Sequence, residues 1–208
     1  MPRCLCDSRV VGNGIGSRHH LPSHGHADFM PTSTGYEAPM TTTAELLTDS
    51  FNRIRDGVHS VLDGIGPELV GRLDAEANTI AWLIWHLTRI QDDHVAGVAG
   101  QQQVWHDAGW DERFALPFEP DATGYDQTAS EVGAVQPTAE LLTGYYDAVH
   151  ERTLEFVTTL GDEALNRVVD ESWDPPVTLS IRLVSVIADD LQHVGQAAFA
   201  RGLLSRAS

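Results

Sequence analysis

Residues 78–94 read NTIAWLIWHLTRIQDDH, and residues 180–196 read SIRLVSVIADDLQHVGQ. Both runs lie in apolar helices, the first apolar over most of its girth early on, and each holds a histidine, His86 or His193, deep inside it. A helix apolar on nearly every side belongs in the middle of a protein rather than on its surface. A histidine there is costly unless both ring nitrogens find partners. Asp189 precedes His193 by four residues, so the two share a helix face and can hold one metal ion. A neighbouring helix could bring His86 to the same ion as a third ligand, leaving one coordination position open. A buried His–Asp pair that fixes helix register satisfies the same pattern.

Working outward, Thr42 and Glu45 have capping-box spacing, which predicts that the folded domain starts near Met40. A first helix then runs to about Asp63, with Leu47, Phe51, Ile54, Val58, Val61 and Ile65 as its buried stripe. Gly64, Gly66 and Pro67 end it. The second helix starts after Asn78, a good N-cap, and closes at Gly97 and Gly100. Residues 100–136 show no sustained period. They hold Trp105, Trp110, Phe114, Phe118 and Tyr125 among Gly, Pro and Asp, so this long connection is expected to pack on the helices. A third helix follows Pro137, with Leu142, Tyr145, Val149, Phe156 and Leu160 inward. A fourth, capped by Thr178, extends to about Leu203. No strand is apparent. The expected fold is all-α: a four-helix bundle of helices roughly 20 residues and about 30 Å long, with a long connection between the second and third.

Residues 1–39 are rich in Gly, Ser, Pro and His and show no apolar period, which predicts a disordered N-terminal tail ahead of a domain at 40–208. GNGIG at 12–16 is not the dinucleotide fingerprint, and His19, His20, His24 and His26 read as part of an unstructured leader. The chain has 13 Arg, no Lys and 30 acids, for a net charge of −17. The first 39 residues are neutral, so the whole negative balance falls on 40–208. Such a surface repels nucleic acid and anionic membranes. No run approaches the ~20 apolar residues of a membrane span, and no secretory signal is apparent. The two cysteines, Cys4 and Cys6, lie in the tail. No structural disulfide is needed, and a cytoplasmic protein fits. Thiol chemistry would need an external thiol.

Helical phase puts His86, Ile90 and Asp93 on one face of the second helix, with His94 about 80° from His86. On the fourth, Arg182, Val186, Asp189, His193 and Gln196 form one stripe, with Asp190 close to it. Asp92 and Asp93 read as partly solvated, His150 as exposed, and His59 and His106 as lacking an obvious partner.

The motif WHL on the second helix, followed by ADDLQHVGQ on the fourth, resembles the DinB/YfiT-like superfamily. More narrowly, it resembles the branch of thiol-dependent S-transferases and maleylpyruvate isomerase-like proteins, over about residues 40–205. The resemblance implies a divalent metal, zinc first, held by His86, Asp189 and His193, where the family more often has His at the position of Asp189. It implies mycothiol as cosubstrate and an electrophile as its partner in a detoxifying conjugation, with no catalytic residue beyond the metal site. Trp82, Trp110, Tyr125 and Trp173 are candidates to line the substrate pocket, and Arg182 to hold a carboxylate or sugar hydroxyl. A homodimer fits the same reading. Metal-dependent hydrolysis or isomerisation through a bound hydroxide, and a non-catalytic binding bundle, are the alternatives.

Overall fold

The computed structural model describes residues 42–207. The expected tail, its cysteines and its histidine cluster lie outside the described residues. The chain is mostly helical, with one small two-stranded sheet. Four long helices dominate: α1 (Thr43–Leu62), α2 (Ile80–Ala99), α6 (Ala139–Val157) and α7 (Leu179–Ala207). Three short ones, α3 (Val104–Asp107), α4 (Trp110–Phe114) and α5 (Ala129–Ala134), break up the long connection after α2. Both α1 and α2 pack against both α6 and α7, so the long helices close a ring of contacts around one core.

The starts of these helices are set by side chains that accept orphan amide protons. Thr42 and Glu45 form the capping box at α1. The cap of α2 is Thr79, whose hydroxyl accepts from the Trp82 amide, and not the adjacent Asn78. Both residue types cap well, and only the chain path chooses between them. Gly100 ends α2 with φ +68°, the left-handed conformation that glycine adopts without a Cβ penalty.

The core takes Phe51, Ile54 and Val58 from α1, Ile80, Ile84 and Trp85 from α2, Leu142, Tyr145 and Val149 from α6, and Leu183 and Val186 from α7. Buried residues appear on every side of α2. Helices α6 and α7 cover two sides, and the connection covers another with Trp105 and Phe118, whose rings lie against Trp85. Asp92 is therefore not a solvated residue. Its carboxylate accepts from the amides of Val104 and Trp105, each at 2.8 Å, and from the Tyr145 hydroxyl at 2.9 Å.

Three further sequence expectations fail here. A strand pair exists: β1 (Val168–Asp170) runs antiparallel to β2 (Val177–Thr178). Two or three residues are too few to show a period. His150 is buried, its ring stacked 6.2 Å from Tyr146, because α1 and α2 both lie on α6 and widen its inward face. His59 and His106 do have partners: His59 meets Asp147 at 2.7 Å, and His106 lies between Asp111 and Asp121.

Replacing Asp92 by Ala strands two amides and a tyrosine hydroxyl in the interior. It should cost about 3 kcal/mol, read as a lower melting temperature. Hydrogen exchange should speed up at residues 104 and 105.

Burial, aided by Arg55, holds the His150 imidazole below the ordinary histidine range. The unfolded chain protonates this ring near pH ~6.5, while the folded chain resists until lower pH. The stability it contributes is therefore complete above that value and is lost as pH falls below it. His86 and His94 are depressed by burial in the same direction. Melting temperature should drop between about pH 7.5 and 5.5, and His150→Gln should make that drop shallower. An unchanged slope in the variant would contradict the assignment.

Candidate functional site

His86 sits one turn beyond Trp82 on α2, and the indole stacks beneath it with centroids 4.6 Å apart and planes 13° from parallel. The indole N–H of Trp82 donates to Gln127 Oε1 at 2.6 Å, which fixes the plane of the stack. The returning connection brings the Thr123 carbonyl to 2.5 Å from His86 Nδ1. A carbonyl can only accept, so Nδ1 carries the proton and the lone pair of the neutral ring lies on Nε2. Such close approach is possible because residue 124 is glycine. A Cβ there would stand 2.6 Å from His86 Nδ1, and the backbone has φ +104°.

On α7, His193 is oriented in the same way. Its Nδ1 pairs with Gln196 Oε1 at 3.0 Å, leaving Nε2 directed to Asp189 Oδ1 at 3.6 Å. The rings of His86 and His193 are 4.9 Å apart at 74°. One donor atom from each of His86, Asp189 and His193 lies within 4.8 Å of the other two. The structure thus gathers the three residues singled out from spacing. Of the two adjacent carboxylates, Asp189 joins the histidines. Asp190 points into the core, fully buried, and burial beside Asp189 pushes its carboxyl well above the usual range.

The donor set suits a divalent ion. Each of the two imidazoles has its Nδ1 held from behind by an oxygen, the arrangement that orients metal-ligating histidines, and in His86 this leaves the lone pair on Nε2. Asp189 Oδ2 is buried without a hydrogen-bond partner, an expense that a bound cation would remove. Burial is the main cause that lowers the His86 pKa, and the neighbouring His193 adds to it. The ring is therefore in its ligating, neutral form at neutral pH.

The other singled-out residues divide. Trp82 is under His86, and the Tyr125 ring meets His86 edge-on at 5.5 Å. Arg182 lies two turns before Asp189 and is held by Asp170 of β1 at 3.0 Å, with His94 at 3.5 Å. Burial and Arg182 keep His94 neutral, so it forms a polar flank to the triad rather than solvated surface. Trp110 is not gathered with the histidines: it is buried against Tyr145 and Phe114, with Arg113 across its face. Trp173 is exposed between the two strands and is not brought to the triad either.

Sequence reasoning missed Thr123, Gly124 and Gln127. Thr123 acts through its carbonyl, which every residue has, so no signal marks it. Gly124, isolated in a polar connection, carried a weak signal of close backbone approach.

Residues 46–205 match the family described as mycothiol-S-transferase. No curated protein matches the chain. Among solved structures, the chain is similar to a conserved protein of a locus from Enterococcus faecalis, at 27% identity. That match covers 77% of this chain and 95% of the other, with a TM-score of 0.72.

The glycine at 124 supplies a test of the His86 anchor. Gly124→Ala should drive the Thr123 carbonyl off His86 and cost about 2 kcal/mol in stability. In nitrogen-15 spectra of the imidazoles, the Nδ1–H signal of His86 should disappear. An unaltered tautomer would show that the carbonyl does not set it.

Proposed function

Because the chain belongs to the mycothiol S-transferase family, itself part of the DinB/YfiT-like superfamily, we propose that it joins the sulfur of mycothiol to an electrophilic carbon at the triad of His86, Asp189 and His193. The observation that carries this reading is that one donor atom from each of His86, Asp189 and His193 lies within 4.8 Å of the other two, beside an Asp189 Oδ2 that is buried without a hydrogen-bond partner. We read the four long helices as a DinB-like four-helix bundle whose core presents the site between α2 and α7. A divalent ion held there, zinc by its donor preference, supplies the charge that turns a thiol, with a free pKa near ~8.5, into a thiolate.

The chain's own residues do the rest. The described residues contain no cysteine, so the nucleophilic sulfur comes from the small molecule. The Thr123 carbonyl holds His86 in one tautomer and Gln196 holds the His193 ring in place, so the site needs little reorganisation when the thiol arrives. Trp82 and Tyr125 offer flat apolar walls beside His86 for the electrophile. Arg182, already braced by Asp170, can turn toward a carboxylate or a sugar hydroxyl. In the reaction the S–H proton is released to solvent, and the S–C bond forms as a leaving group departs or an activated double bond takes up a proton.

The test joins metal analysis to turnover. The purified chain should hold one divalent ion, and His193→Ala should lose it while its circular dichroism stays helical. Asp189→Asn should weaken retention, and Asp190→Asn should not. With mycothiol and a panel of alkyl halides and activated alkenes, conjugation should fall at least about 100-fold in His86→Ala or after chelation. Product formed as fast without any thiol would replace this reading with metal-assisted hydrolysis or isomerisation. Metal retention without turnover of any member of the panel would favour a binding role.

A further inference from the structure

We propose that a hollow in the long connection between α2 and α6 binds a small organic cation, a compact apolar body carrying a quaternary or protonated amine, and that its occupant steadies the anchor of His86. The hollow has a volume of about 220 Å³ and holds none of the triad residues. That is room for one ring and its substituent rather than for a drug-sized molecule.

Its walls suit a cation with an apolar body. Leu116 and Phe118 line it and are half-buried, so a ligand can touch both. Trp85 and Trp105, both buried, close it from below. The Trp85 ring lies 6.0 Å from Phe118 and 6.4 Å from Trp105. The negative faces of aromatic rings favour a cation, and Trp105 already holds one, the Arg89 guanidinium at 4.8 Å.

Charge selects the same occupant. Asp111, Glu112 and Glu119 line the hollow, and among the described residues no arginine does. Arg113, on the same helix as Glu112, lies 3.6 Å above the Trp110 ring instead. His106 and the Glu112 amide hold the Asp111 carboxyl below its ordinary range, so it stays ionised at neutral pH. Glu112 and Glu119 are exposed, and neither carboxylate has a partner among the described residues. Three like charges around one hollow repel one another, and a cation between them relieves the repulsion. The apolar walls favour an organic cation over a hydrated metal ion.

The segment that walls the hollow leads directly to the triad. Pro120 and Ala122 line it. The Pro120 carbonyl accepts from Trp105 Nε1 at 2.9 Å, and the Ala122 carbonyl accepts from Arg89 Nε at 3.2 Å. The next carbonyl along, that of Thr123, is the one on His86 Nδ1. An occupant packed on Phe118, Pro120 and Ala122 narrows the motion of the residues that carry this anchor.

Isothermal titration of the full chain with phenyltrimethylammonium, the neutral 2-phenylpropan-2-ol and the anionic benzoate tests this. The cation should bind at least about 10-fold tighter than the alcohol, and benzoate should not bind. Glu112→Gln combined with Glu119→Gln should erase the preference for the cation and leave the alcohol's weaker affinity unchanged. Leu116→Arg places a guanidinium in the hollow and should abolish binding of the cation. In nitrogen-15 spectra, saturation with the cation should shift the Nδ1–H signal of His86. Equal affinity for cation and alcohol overturns the cationic ligand, and no binding of the cation at millimolar concentration overturns the site. A preference that survives the double variant places the cation elsewhere and overturns the assignment to this hollow. A His86 signal unmoved at saturation overturns the link to the anchor.

Discussion

The buried carboxylate of Asp92 and its neighbour Arg89 fix the path of the whole connection between α2 and α6. Asp92 takes the amides of Val104 and Trp105, and Arg89 Nε donates to the Ala122 carbonyl at 3.2 Å. Arg89 also reaches Gln103 and lies 4.8 Å above the Trp105 ring. Two distant points of the connection are thereby tied to one turn of α2. In a low-dielectric interior each of these groups would be expensive to leave unpaired, so the alternatives are steep. Thr123 follows Ala122 directly, and its carbonyl reaches His86 because Arg89 has already placed its neighbour. The geometry of the triad thus depends on an ion pair one to two turns along the same helix.

Burial has two opposite effects on the site. It disfavours charge on His86 and so costs folding free energy whenever the unfolded ring would be protonated. It also keeps a lone pair free on Nε2 without help from a high pH. Asp189 pulls the other way, since its charge favours a protonated ring, but it ranks below desolvation among the causes at His86. The neutral form prevails, and the set of donors is ready before any ion or ligand arrives.

The long helices were legible because each keeps an apolar period over five or more turns, and the box of Thr42 and Glu45 marked the first one to the residue. Asp189 and His193 were legible because one helix turn separates them. His86 needed the pairing of α2 with α7, which periodicity does not specify; the likeness of WHL and ADDLQHVGQ to a family supplied it. The sequence could not show what joins distant segments. The partner of His59 is 88 residues away, and the partner of Trp82 is 45 away. His150 was misread because the width of a buried face depends on how many neighbours a helix has. Trp110 was misread because an aromatic in a loop fits a core as well as a pocket.

That the anchor of His86 is a main-chain oxygen has a consequence for how the protein tolerates change. A side-chain anchor can be lost by one substitution at its own position. Here the side chain of Thr123 is not the acceptor, and position 123 can vary without removing the hydrogen bond. Vulnerability moves one residue along, to a position where the backbone lies in the left-handed region and three aromatic rings crowd the missing Cβ. Functional constraint in this connection therefore falls on a residue with no functional group, while the residue that makes the contact is free to drift.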